Sequence, residues 1–179
     1  QPISVDGVVD LDHPAALQEL VDDDRFYGRI VILGEPGSGK TALLIRLTLA
    51  QIRDRAPGDR VPMLLRLATW NSLDVSLTDW IRDTLANDYG YSRRSPIDNI
   101  LPILDGLDEM PVNRRAAALT KISRTFSPSS PLILTSRIEE YGEALTAAGR
   151  QALAAALVVE LTPLTPDIAR NYLVRATPH

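Results

Sequence analysis

The octapeptide GEPGSGKT, at Gly34–Thr41, decides the fold, because it fits the spacing G-x-x-x-x-G-K-[ST] and both of its flanks fit too. The apolar run RIVIL at 29–33 before it is typical of a buried strand, and residues 41–50 after it are typical of a helix. Glycines in such a turn let backbone N–H groups converge on an anion, and the helix N-terminus adds partial positive charge. The stretch therefore predicts a phosphate-binding loop.

Two side chains of this loop have expected roles of their own. Lys40 is expected to reach the β- and γ-phosphates of a nucleotide, and the Thr41 hydroxyl to ligate Mg²⁺. The alternative is a glycine-rich turn that only joins a strand to a helix, and the fit of the flanks argues against it. The predicted nucleotide-binding residues are the loop and the residue after it: Gly34, Glu35, Pro36, Gly37, Ser38, Gly39, Lys40, Thr41 and Ala42.

Composition excludes several other classes of protein. The chain has 179 residues, no cysteine and two histidines, which argues against disulfides, a thiol nucleophile and a cysteine- or histidine-based metal site. A net charge of −4 gives no evidence for binding nucleic acid or an anionic membrane, and we assign Arg114 and Arg115 to the solvated surface. No apolar run approaches the roughly 18 residues needed to span a bilayer, and no secretory signal precedes the first strand. We expect a cytoplasmic protein and, since the chain starts at Gln1, a fragment of a larger one.

Apolar runs and helical periodicities alternate along the chain. The predicted strands are 29–33, 61–68, 100–105, 131–135 and 157–161. The predicted helices are 12–24, 41 to about 56, 76–89, 111–126 and 138–148, with a last one opening at 165–167. This alternation indicates βαβ units, and hence a parallel sheet with helices on both faces. The predicted fold class is α/β.

Two finer expectations concern the packing of these elements. The helix after the phosphate loop is expected to direct four apolar side chains inward: Leu43, Leu44, Leu47 and Ile52. Pro102 lies within the third predicted strand, and proline cannot donate a hydrogen bond to a central strand. We therefore expect regular pairing only in the C-terminal part of that strand.

Three features fall at the carboxyl ends of the predicted strands, where parallel sheets bind ligands. They are the phosphate loop after the first strand, Asp105 at the end of the third and Arg137 after the fourth. Asp105 is expected to associate with a phosphate-bound Mg²⁺, and Arg137 to sense or neutralise the γ-phosphate. Thr135 and Ser136 are polar alternatives for the role of Arg137.

Two further acids, Asp108 and Glu109, follow Asp105 closely. One of them is expected to orient and polarise the attacking water, while the other pairs with a neighbouring base. The sequence leaves open which acid does which. A purely structural interpretation is that both cap the following helix.

Taken together, these motifs make the sequence resemble a NACHT domain, within the STAND class of P-loop NTPases. The stretches that carry the resemblance are GEPGSGKT at 34–41, PMLLRLATW at 62–70, LPILDGLDE at 101–109, LILTSR at 132–137 and ELTPLTPDIARNYL at 160–173. Most AAA-like ATPases have a glutamate directly after the strand-end aspartate. The NACHT pattern has a small residue directly after the aspartate, then one intervening residue and two acids. In this chain Gly106 is the small residue, and Asp108 and Glu109 are the two acids.

The resemblance implies a three-layer α/β/α P-loop NTPase with five parallel strands in the order 5-1-4-3-2. It implies ATP or ADP with Mg²⁺ as ligands, Thr41 and Asp105 at the metal, and Asp108, Glu109 and Arg137 as catalytic residues. It also implies a nucleotide-binding domain at 25–163 between a lead-in at 1–24 and the start of a helical domain at 164–179.

The leading functional hypothesis is a nucleotide-gated signalling switch with slow Mg²⁺-dependent ATP hydrolysis, which drives self-association of the full-length protein. One alternative is an enzyme whose turnover is itself the function, such as an AAA-like ATPase or a small-molecule kinase. Another is a scaffold in which nucleotide is bound but never hydrolysed.

Overall fold

The computed structural model describes residues 7–9, 28–94, 96–149, 152–153 and 156–161. Its strands are β1 Gly7–Val9, β2 Arg29–Leu33, β3 Val61–Arg66, β4 Ile100–Asp105, β5 Leu132–Ser136 and β6 Leu157–Leu161. Its helices are α1 Lys40–Asp54, α2 Leu77–Tyr89, α3 Val112–Thr125 and α4 Ile138–Ala148. Three short 3₁₀ turns occur at Leu67–Thr69, Ile97–Asn99 and Leu107–Glu109. The helices predicted at 12–24 and from 165 onward lie outside the described residues.

The strands form one parallel sheet of six strands in the order β1-β6-β2-β5-β4-β3. Strands β6-β2-β5-β4-β3 are the five predicted ones, and the order 5-1-4-3-2 is confirmed. The additional strand β1 pairs with the outer side of β6, where Gly7 lies opposite Val159. Its three residues are too few to show a hydrophobic period, which explains why the sequence did not indicate it.

Apolar side chains cover both faces of this sheet, because neighbouring residues of a strand point to opposite faces. In β2, Ile30 and Ile32 pack with Leu43, Leu44 and Leu47 of α1. Residues Val31 and Leu33 belong instead to the cluster that contains the buried residues of α2, α3 and α4. The result is the three-layer α/β/α arrangement that was expected.

Helix α1 corrects one packing prediction. Leu43, Leu44 and Leu47 are buried as expected, but Ile52 is 54% exposed. Ile52 falls in the i, i+4, i+7 series with Ile45 and Leu49, which are 45% and 60% exposed. At 3.6 residues per turn this series lies on the side of the helix opposite to the sheet. The inward assignment of Ile52 was therefore wrong.

Strand β4 corrects another prediction in part. Its register to β3 runs unbroken from Ile100 to Asp105, with Pro102 opposite Met63. Its register to β5 is short and begins only at Ile103. Pairing is therefore restricted to the C-terminal part of the strand on the β5 side, as Pro102 had suggested, but not on the β3 side.

No helix within the described part of the chain combines the length and the apolar character needed to cross a membrane.

Candidate functional site

A cleft of about 330 Å³ opens at the carboxyl ends of β2, β4 and β5. It brings together most of the predicted site residues: Pro36, Gly37, Gly39, Lys40, Thr41, Ala42, Asp105, Asp108, Glu109 and Arg137. Three predicted loop residues do not line it. Gly34 and Ser38 are buried, whereas Glu35 is exposed. The sheet thus gathers phosphate-binding, acidic and cationic groups from three separate parts of the chain.

The phosphate loop is held by contacts within itself. Lys40 Nζ donates hydrogen bonds to the carbonyl oxygens of Gly34, at 2.5 Å, and Glu35, at 3.0 Å. Gly34 N donates to the carbonyl of Ser136 on β5, at 3.2 Å, which ties the loop to the neighbouring strand. A Cβ at Gly34 would lie 2.6 Å from Ser38 Oγ and 3.3 Å from Leu161 Cβ, so a larger residue at the entrance of the loop would require Ser38 to move.

Asp105 connects the loop to the centre of the sheet. Thr41 Oγ1 donates to Asp105 Oδ2 at 3.1 Å, across 64 positions of sequence. The other carboxylate oxygen, Oδ1, accepts from Thr135 Oγ1 at 2.7 Å, and Thr135 in turn accepts from Gly106 N at 2.9 Å. Thr135 is fully buried, and it holds Asp105 in place instead of facing the cleft. The sequence had suggested Thr135 only as an alternative to Arg137.

Gly106 shapes the acidic turn that follows β4. It adopts φ 78° and ψ 59°, a left-handed conformation that disfavours other residues. A Cβ there would lie 2.9 Å from Glu109 Cδ and 3.1 Å from Glu109 Cγ, because the glutamate side chain folds over the glycine. The small residue after Asp105 thus makes room for Glu109, which remains exposed at the cleft.

Asp108 and Arg137 form an ion pair beside this turn. Arg137 Nε lies 3.0 Å from Asp108 Oδ2, and Arg137 NH1 lies 3.5 Å from Glu140 Oε1. The Asp108 side chain is only 6% exposed, whereas that of Arg137 is 43% exposed. The Nε–Oδ2 contact lacks hydrogen-bond alignment, and Asp108 Oδ1 has no hydrogen-bond partner among the described residues. Asp108 is thus already paired with the cation that the sequence placed at the γ-phosphate.

Arg115 takes part in this arrangement, although the sequence analysis placed it on the solvated surface. Its Nε donates to the carbonyl of Met110 at 2.9 Å, and its NH2 donates to the carbonyl of Asp108 at 2.7 Å. The side chain is half-buried against the turn. The surface assignment was therefore wrong for Arg115. Arg115 lies seven positions after Asp108, and this spacing does not indicate a contact between the arginine side chain and the Asp108 carbonyl.

The residues present fit a magnesium ion of the kind held together with nucleotide phosphates. Such ions keep several waters and take one or two protein oxygens in addition to phosphate oxygens. Thr41 Oγ1 and Asp105 Oδ2 are two adjacent oxygens at the cleft, 3.1 Å apart. Among the described residues no cluster of three or more histidines, cysteines or carboxylates provides a purely protein-made metal site.

The parallel sheet with its strand order, the phosphate loop after β2 and the acid at the end of β4 define this molecule as a P-loop NTPase fold. Residues 28–179 match the NACHT domain family, and the chain belongs to that family. The resemblance inferred from the sequence is confirmed.

A similar solved structure, that of the ORC1 protein, supports the fold. The chain is similar to the Aeropyrum pernix ORC1 protein, solved in complex with DNA, with a TM-score of 0.54 and 15% identity over 91% of this chain and 48% of that one. The chain therefore spans about half the length of that protein. A crystal structure of APE1195 matches with a TM-score of 0.35 and 19% identity over 83% of this chain and 73% of that one. Comparison with curated proteins gives no match.

Proposed function

We propose that this domain binds ATP or ADP with Mg²⁺ and hydrolyses ATP slowly. The observation that carries the proposal is the contact between Thr41 and Asp105, which joins the phosphate loop to the strand-end acid at one cleft. In this assignment the loop from Gly34 to Ala42 binds phosphates, with Lys40 at the β- and γ-phosphates. Thr41 and Asp105 hold the metal, which when bound neutralises charge on the phosphates.

The surroundings of the two acids support different roles for them. Asp108 is almost fully buried and paired with Arg137. Glu109 is exposed at the cleft, and its carboxylate has no hydrogen bond or ion pair among the described residues. Glu109 is thus free to accept a hydrogen bond from a water molecule and orient it toward the γ-phosphate. Asp108 holds Arg137 at the mouth of the cleft, where the cation can contact the same phosphate.

We infer that hydrolysis serves a switch. Family membership supports the nucleotide-binding role. We keep the predicted organisation within a larger protein: a lead-in at 1–24, the nucleotide-binding domain at 25–163 and the start of a helical domain at 164–179. In this scheme ADP holds a closed state, and exchange for ATP permits self-association of the full-length protein. The ion pair between Asp108 and Arg137 supports the scheme, because a γ-phosphate would compete with Asp108 for the cation.

Turnover and binding measured together test the assignment of the acids. Glu109→Gln should lower the turnover rate about a hundredfold with ADP affinity within about twofold of the parent, since it removes a general base and no phosphate contact. Lys40→Ala should abolish binding of both nucleotides. If Glu109→Gln turned over at the parent rate while Asp108→Asn did not, the roles of the two acids would be reversed.

The switch is tested separately in the full-length protein. Light scattering should show larger particles with a non-hydrolysable ATP analogue than with ADP, and Lys40→Ala should remove the difference. Equal assembly with and without Lys40 would show that nucleotide does not gate association. Turnover at ordinary enzyme rates by the isolated chain, without any partner, would favour an ATPase whose turnover is itself the function.

A further inference from the structure

We propose that Arg115 is a positioning residue for ATP hydrolysis, which fixes the turn that carries Asp108 and Glu109. The inference rests on the proposed function and deepens it. It concerns the polypeptide backbone of the turn at 107–109, which among the described residues makes no hydrogen bond with the phosphate loop or with the side chain of Asp105.

The contacts of Arg115 are directed at the turn from the side of α3. One guanidinium donates two hydrogen bonds, to the carbonyl of Asp108 at 2.7 Å and to that of Met110 at 2.9 Å. These two carbonyls belong to the residues directly before and after Glu109. The N–H of Glu109 itself donates to the carbonyl of Gly106 at 3.1 Å. The path of the backbone through Glu109 is thereby fixed on both sides, and with it the point from which the glutamate side chain leaves the turn.

Arg115 and Arg137 hold the same turn in different ways. Arg137 contacts the carboxylate of Asp108, at the cleft, whereas Arg115 contacts the carbonyl of the same residue. If Arg137 turned to a γ-phosphate, its pair with Asp108 would weaken. Arg115 would then be the charged side chain that still restrains the turn, so its contribution should be greatest in the ATP-bound state.

Lysine cannot reproduce this arrangement. The planar guanidinium presents donors in a fixed fork and reaches two carbonyls at once, whereas an ammonium group is a single point charge on a flexible stem. Arg114, the preceding residue of α3, provides a matched control. Its Nε is buried but has no hydrogen-bond partner among the described residues.

The test compares Arg115→Met, Arg115→Lys and Arg114→Met with the parent chain. Methionine keeps the apolar stem of arginine, so the packing of α3 is largely preserved. Each protein is measured for kcat and KM of ATP hydrolysis, for affinity toward ADP, and for affinity toward ADP with aluminium fluoride, a mimic of the transferring phosphoryl group.

For Arg115→Met we expect kcat to fall about tenfold or more, because displacement of a reacting group by about 1 Å can cost up to a hundredfold. KM and ADP affinity should stay within about twofold of the parent, and tighter binding of the aluminium fluoride complex relative to ADP should be lost. Arg115→Lys should show the same pattern to a smaller degree. Arg114→Met should resemble the parent in every measurement.

The two levels of inference fail in distinguishable ways. A parent chain that binds nucleotide without any turnover would overturn hydrolysis itself, and the role of Arg115 with it. Parent turnover with Arg115→Met and Arg115→Lys at the parent rate would overturn only the positioning role. So would equal losses of turnover and ADP affinity in both variants, because that pattern indicates general destabilisation of the site.

Discussion

Gly106 explains why a small residue separates Asp105 from the acids Asp108 and Glu109. Its left-handed conformation disfavours other residues, and a Cβ there would lie 2.9 Å from Glu109 Cδ, so that the glutamate would have to turn away. We predict that Gly106→Ala destabilises the protein by about the 1–2 kcal/mol that a left-handed alanine costs, because the exposed Glu109 side chain can turn away from the new methyl group. Urea denaturation gives the free energy of unfolding, and ATP turnover should fall in the same variant.

Gly90→Ala measures the cost of a left-handed alanine without any displacement of Glu109. Gly90 has a similar backbone, with φ 67°, but a Cβ there would meet nothing within 4 Å. It should show the conformational cost alone and retain turnover. Equal destabilisation in the two variants, with turnover intact in both, would mean that contact with Glu109 does not require glycine at 106.

Tyr141 provides a prediction about alkaline pH. Burial raises the pKa of Tyr141 to about 12 from 10.0, and the nearby cation of Arg29 opposes this shift only in part. Between these two pH values the unfolded chain loses the phenolic proton while the folded protein keeps it. The free energy of unfolding should therefore be undiminished below pH 10 and fall by up to about 3 kcal/mol as the pH rises toward 12.

Tyr141→Phe isolates this contribution, since other groups also titrate at high pH. Phenylalanine fills the same buried position at the start of α4 but has no proton to lose. The difference in unfolding free energy between parent and variant should change with pH above 10 and be flat below it. A difference that is flat across the whole range would contradict the raised pKa.

The position of single residues was predictable from the sequence where a motif fixes it. Lys40, Thr41, Asp105 and Arg137 all line the cleft at the predicted edge of the sheet. The supporting contacts were not predictable, because they depend on distant backbone atoms. Thr135 meets Asp105 across 30 positions, and Arg115 contacts carbonyls that any sequence would carry.

Among the secondary-structure elements, α1 has one buried and one exposed face, and this difference predicts how strongly a substitution on each face changes the free energy of unfolding. Leu44 is fully buried against the sheet, whereas Ile52 is 54% exposed. Leu44→Ala should destabilise the protein by about 2–5 kcal/mol through lost burial and a residual cavity. Ile52→Gln should change the free energy of unfolding by no more than about 0.5 kcal/mol, as is usual for exposed positions. Chemical denaturation of both variants is the measurement, and a large loss from Ile52→Gln would indicate that this face packs against another part of the chain.

The elements themselves show where sequence patterns are informative. Strands of five or six residues gave clear apolar runs, and the predicted start of a helix at 76 agrees with the structure, in which Ser76 Oγ accepts a hydrogen bond from Asp79 N at 3.1 Å. The three-residue strand β1 gave no pattern. The orientation of α1 was misjudged at its C-terminal end because several apolar residues there belong to the exposed face.

At the scale of the whole molecule, the cleft lies where three parts of the core meet. β2 leads into the phosphate loop, β4 ends in Asp105 and β5 leads to Arg137. These strands are adjacent in the order β2-β5-β4 at the centre of the sheet. A nucleotide that contacts all three ends can bind only when the sheet is formed, so its binding energy should stabilise the entire domain and not a loop alone.

We therefore predict that the midpoint of thermal unfolding rises with the concentration of Mg²⁺-ADP. Ligand at a hundred times its dissociation constant should add about 2.7 kcal/mol to the free energy of unfolding. Unfolding can be followed through the fluorescence of Trp70 and Trp80, whose rings stack with centroids 5.6 Å apart. Both belong to the buried cluster that contains Leu107. Lys40→Ala should remove the dependence on nucleotide and lower the midpoint without nucleotide only slightly, because the hydrogen bonds of its side chain among the described residues are partly or fully exposed to solvent, so that the carbonyls can bind water instead. A midpoint that is independent of nucleotide in the parent would contradict binding at this cleft, whereas a shift that persists in Lys40→Ala would place the nucleotide elsewhere.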